Sequence, residues 1–125
     1  MIVPVLLAAL MASAGPNVPP SLATDVRFSG ADDLTSKFVD ALRAALPAAK
    51  HMHPMKDDEA PALSLTVLFN VQPEGKRFSY AVDLMKINQD LPPDRLASFT
   101  GTCRETAIDA CARDVVAKTD NKAKD

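Results

Sequence analysis

The segment ALSLTVLFNV, residues 62–71, alternates apolar and polar side chains, and nothing else in the chain leaves its fold so few choices. Leu63, Leu65, Val67, Phe69 and Val71 share one side, while Ser64, Thr66, Leu68 and Asn70 share the other, with Gln72 continuing that side. Such a period of two is the pattern of a half-buried strand. PEGK follows, with Pro and Gly suited to a reversal. In RFSYAVDLMKI the apolar set then moves to Phe78, Tyr80, Val82 and Leu84. With Pro73–Lys76 as the loop, the hairpin pairs Val71 with Phe78, Phe69 with Tyr80, Val67 with Val82 and Leu65 with Leu84. A slip of one residue would set Phe69 against Ser79 or Ala81 and destroy the apolar face.

The flanking segments fit around this hairpin. DVRFSG, with Val26 and Phe28 on one side, predicts a short strand, and Ser29 is placed to cap the helix that follows, with Asp32 in its first turn. Leu34, Phe38, Ala41, Leu42 and Ala45 form one apolar helical face, which Pro47 ends. NQDLPPD reads as a loop. RLASFTGTC alternates again, with Ala97, Phe99, Gly101 and Cys103 on one side. TAIDACARDVVAK places Ile108, Cys111, Ala112 and Val115 on a helical face, and TDNKAKD is expected to fray. The order is β-α-β-β-β-α. That order predicts an α+β fold: a two-layer α/β sandwich with a mostly antiparallel sheet and both helices on one face. Strands apolar on one side only agree with helices covering one face of the sheet.

The two cysteines test the last boundary. A helix starting at Thr102 would hold Cys103 and Cys111 about 12 Å apart, at 1.5 Å per residue. A disulfide needs Cα atoms within about 7 Å. A helix starting at Thr106 leaves Cys103 at the end of a strand and lets Cys111 turn back toward it, so a Cys103–Cys111 bond is expected; two buried free thiols are the alternative.

The chain opens MIVPVLLAALMASAGP. An apolar run ending in Ala12-Ser13-Ala14 matches a secretory signal peptide, residues 1–14, cut after Ala14. The run is shorter than the about 20 residues a bilayer requires, so no stable membrane insertion is expected after cleavage. A buried N-terminal helix is the competing reading. An even cysteine count suits an exported chain, periplasmic or secreted. The expected division is a signal peptide 1–14, a Pro-rich lead-in 15–24, one α+β domain 25–118 and a charged flexible tail 119–125.

Composition narrows the function. Net charge is −2, with Lys and Arg scattered, so no basic stripe exists for nucleic acid. The four glycines are dispersed, which leaves no phosphate-binding loop. No G-x-S-x-G surrounds a serine, and the pairs Asp32–Asp33 and Asp57–Asp58 read as solvated acids rather than an acid/base couple. A non-enzymatic protein is expected. Both histidines lie in AAKHMHPMKDDEAP, residues 48–61. An extended chain would put His51 and His53 on one side, and Met52 and Met55 could add thioether ligands, a set suited to copper or zinc. The plainer reading is a polar connector bounded by Pro47 and Pro61. The polar sheet face (Ser64, Thr66, Asn70, Gln72, Ser79 and Asp83 on the hairpin, Ser98, Thr100 and Thr102 on the last strand) offers hydroxyls and amides to an envelope protein or a glycan, or is simply solvated. The expectation is a small exported binding or accessory protein, with a metal-binding protein as the alternative.

Overall fold

A computed structural model describes residues 21–30 and 32–123. The signal-peptide segment 1–14 lies outside the described residues, as do residues 15–20 of the lead-in and the last two residues of the tail. The described chain forms an α+β fold consistent with a two-layer sandwich: two helices and a six-stranded, mixed but mostly antiparallel sheet. The strands are β1 (Leu22–Phe28), β2 (Met52–Pro54), β3 (Leu63–Val67), β4 (Gln72–Glu74), β5 (Arg77–Lys86) and β6 (Asp94–Arg104). The helices are α1 (Asp33–Ala45) and α2 (Ile108–Ala123). β1 runs parallel to both β2 and β3, and every pairing of β5 is antiparallel.

The core is aliphatic with a small aromatic centre. Phe38 of α1 sets its ring edge-on to Phe78 at 5.5 Å and tilted to Tyr80 at 5.3 Å, both favoured aromatic geometries. Val26, Leu65, Val82, Leu84, Cys103 and Val115 belong to the same buried cluster. Burial pushes the Tyr80 phenol above its ordinary value.

Part of the predicted hairpin stands. Leu65 pairs with Leu84, and Val67 with Val82. Beyond Val67 the register moves, because Gln72 pairs with Ser79, Pro73 with Phe78 and Glu74 with Arg77. Four residues, 68–71, thus stand against two, 80 and 81. The expected pairs Val71–Phe78 and Phe69–Tyr80 do not form. Val71 returns to the core, but Phe69 is 53% exposed and Leu68 lies exposed beside it. The reversal itself tightens to Gly75-Lys76, with Gly75 at φ +68°, a conformation glycine adopts freely.

Other boundaries shift for identifiable reasons. β1 begins inside the predicted lead-in because Leu22–Thr24 pair with Met52–Pro54, and Leu22 N–H donates to His51 O at 2.9 Å. Asp32, not Ser29, caps α1: its Oδ1 accepts Thr35 N–H at 2.7 Å. The Ser29 hydroxyl donates to Leu68 O instead. The predicted tail is helical as far as Ala123, with Thr119 fully buried and donating to Val116 O. Cys103 and Cys111 are disulfide-bonded with Cα atoms 5.9 Å apart, the strand ending at Arg104 and a 3-10 turn, Glu105–Ala107, leading into α2.

Candidate functional site

Residues 48–61 are not a plain connector. Met52 occupies the middle of HMH, and its side chain lies in the core at 1% exposure. It is therefore withdrawn from the predicted ligand set. The reason is local: in an extended chain, the residue between two outward-facing neighbours points inward. That alternation was visible in the sequence, but a strand of three residues carries too little pattern to announce itself.

The two histidines are held differently, His53 through its ring and His51 through its backbone amide. The His53 ring sits between Ser21 Oγ, 2.7 Å from Nδ1, and Glu59 Oε2, 2.9 Å from Nε2. An ionised carboxylate only accepts, so Nε2 carries the hydrogen and, in the neutral ring, Nδ1 accepts from the Ser21 hydroxyl. Glu59 also accepts Lys56 N–H through Oε1 at 3.0 Å. These two bonds, from His53 first, hold the Glu59 carboxyl below its ordinary value. Hydroxyl, imidazole and carboxylate in line resemble the wiring of an activated nucleophile. Here the far end of that line closes the 56–59 turn, and the near end joins the start of β1 to β2. The arrangement ties an edge strand and its loop together. Ser21 escaped sequence reasoning because it lies 32 residues from His53.

His51 is held through its backbone. Its backbone N–H donates to Asp120 Oδ1 at 2.7 Å, while Lys50 N–H donates to Oδ2 at 2.9 Å. One carboxylate on the last turns of α2 thus receives two consecutive amides ahead of β2. Around it opens a cleft of about 420 Å³. Its apolar lining comes from Ala45 at the end of α1, Ala48 and Ala49 after it, and Val116 and Ala117 on α2. Lys50, His51, Arg113, Asp120 and Asn121 supply the polar lining. Met55 is exposed and takes no part in it. Among the described residues, no three His, Cys, Asp or Glu side chains converge as a metal site would require.

The polar sheet face is less open than its composition implies. Ser64 and Asp83 are buried, and Asp83 accepts from the Ser98 hydroxyl at 2.6 Å, with Arg95 3.9 Å away. Ser64 and Thr66 hydroxyls bond each other at 3.0 Å. Ser98, Thr100 and Thr102 on β6 remain exposed. The centre of the face is thus spent on internal hydrogen bonds, one of them from Ser98, while Thr100 and Thr102 of β6 stay exposed.

No protein family and no curated protein matches the chain. Its fold is similar to a solved structure of a PelC variant dodecamer from Paraburkholderia phytofirmans, with a TM-score of 0.53 and 14% sequence identity. The similarity covers 87% of this chain and 92% of that one, so the fold is shared nearly from end to end. Among the described residues, no helix is long and apolar enough to cross a membrane.

Proposed function

We propose that this chain is a small exported, non-enzymatic binding or accessory protein that works as a repeated subunit of an assembly in the cell envelope. The observation that carries the reading is the fold it shares, over nearly the whole of both chains, with a protein solved as a dodecamer. The A-x-A signal-peptide pattern and the Cys103–Cys111 bond support an oxidising compartment outside the cytoplasm. The exposed Leu68–Phe69 pair supports a role in contact with protein, since large apolar side chains held out together mark interaction sites. Within the envelope, the exposed hydroxyls of β6 are suited to a protein partner or a glycan.

The test is to produce the full chain, fractionate the cells and measure mass in solution. The reading expects a chain shortened at Ala14, oxidised at Cys103 and Cys111, and recovered outside the cytoplasm as a multimer by light scattering. Crosslinking should then capture an envelope component with it. An unprocessed cytoplasmic chain, or a monomer at every concentration, overturns the reading.

A further inference from the structure

Phe69 occupies a position that the period of two assigns to the core, and the structure puts it in solvent. The eviction is built rather than loose. Four bonds hold the segment: Leu68 N–H to Ala81 O at 3.2 Å, Ser29 Oγ to Leu68 O at 3.3 Å, Gln72 Nε2 to Asn70 O at 2.9 Å, and Val71 N–H to the buried Thr35 Oγ1 at 3.0 Å. Gly30 lets Asn70 close against the backbone, since a Cβ there would collide with Asn70 Oδ1. Exposing a large aromatic side chain forgoes the gain of burying it, about 25 cal/mol for each Å² of apolar surface. The core gives up that contribution here, and a partner can recover it.

The alanine-lined cleft lies at the other end of the molecule. Leu22 N–H bonds His51 O, so the cleft's His51 sits beside the first residue of β1. Val67, which precedes the Leu68–Phe69 knob, pairs with Phe28 at the last residue of β1. β1 spans seven residues, which separates the two features by on the order of 20 Å at about 3.3 Å per residue. A chain therefore cannot fill its own cleft with its own Phe69. Charge favours another copy doing so. Val71, two residues after the knob, bonds Thr35 in the first turn of α1, which brings the exposed Asp32 and Asp33 to the knob's end of the molecule, while Lys50 and Arg113 line the cleft, whose Asp120 is already occupied by two backbone amides. About 420 Å³ falls within the range of sites that enclose small ligands, ample for an aromatic side chain.

We propose that the chain assembles head to tail, with Leu68 and Phe69 of one copy seated between the helix ends of the next, against Ala45, Ala49, Val116 and Ala117. This rests on the assembled-subunit reading above and names its interface. Two different surfaces meet in such a contact, so it generates a closed ring or an open filament rather than a two-fold dimer.

Two substitutions at opposite ends test it: Phe69→Asp removes the knob, and Ala117→Trp fills the cleft. Both sites are exposed, so each variant should fold, with an unchanged circular dichroism spectrum and a single cooperative melting transition. Sedimentation and light scattering should show the wild type as a multimer and each variant alone as a single chain. Mixed one to one, the variants should form a heterodimer and stop there, because one intact knob still meets one intact cleft. Arg113→Glu should weaken the wild-type assembly at low salt. A wild-type multimer that survives both substitutions, as one joined through the open edge of β6 would, overturns this interface and leaves the subunit reading standing. A mixture that fails to form the heterodimer overturns it as well. A wild-type monomer overturns both.

Discussion

Asp120, on the last turns of α2, receives the backbone N–H of His51 at 2.7 Å, across a sequence separation of 69 residues. The chain segment charged enough to read as a frayed tail is therefore what holds the entry to β2. Because both amides of Lys50 and His51 depend on it, Asp120→Ala should destabilise the protein by about 1–3 kcal/mol, the usual consequence of losing charge-assisted bonds and leaving donors unsatisfied. Urea denaturation of wild type and variant measures it. Deletion of everything after Lys118 should cost more, since it also removes the buried Thr119.

The eviction of Phe69 separates two phenylalanines that the sequence pattern treats alike. Phe78→Ala should cost about 3–5 kcal/mol, because it opens a cavity in a packed core. Phe69→Ala should change the stability of the isolated chain by no more than about 0.5 kcal/mol, as at other surface sites. Equal losses at the two positions would mean that Phe69 lies in the core after all.

Cys103 is buried at the end of β6, and its bond to Cys111 fastens α2 to the sheet. In the chain-entropy account, closing so short a loop contributes roughly 2.5 kcal/mol. Cys103→Ser/Cys111→Ser should lose about that amount. Dithiothreitol should lower the melting temperature of the wild type and leave that of the double variant unchanged.

Glu59 predicts a pH dependence whose sign follows from its bonds. His53 and the Lys56 amide favour the ionised carboxylate, so its value in the folded chain lies below the ordinary glutamate value. A depressed acid contributes stability fully above its unfolded value and loses it as the pH falls through the folded one. Solvent reaches the pair, which makes the effect modest. Wild type should therefore melt above Glu59→Gln at pH 7, and the two should converge as the pH falls below the depressed value of the folded carboxyl. Elemental analysis of the purified protein before and after His51→Ala/His53→Ala checks the metal reading at the same residues. With Met52 in the core and the His53 ring bonded to Ser21 and Glu59, equal metal content is expected.

Much of the architecture was legible in the residues alone. The α+β class, the Leu65–Leu84 and Val67–Val82 pairs, the outward and inward sides of β6 and the disulfide all follow from alternation and spacing. Those are local rules, since a period of two or 3.6 and a bond-length limit act over a few residues. The break at 68–71 escaped for a specific reason. Two extra residues on one strand preserve a period of two, so Val71 and Gln72 resume the correct sides and nothing in the pattern records that Phe69 has left the core.

What only the tertiary structure decided is how distant segments meet. The parallel pairing of β1 with a three-residue β2, the Ser21–His53–Glu59 line and the Asp120 clasp each join groups with no common local pattern. Their energies come from satisfying buried or half-buried polar groups and filling the core once the sheet has formed. A one-dimensional pattern shows which side of an element a residue takes. Which partner waits on that side is settled by packing, and in this chain packing turned a ligand-rich loop into an edge strand and a predicted core phenylalanine into a surface knob.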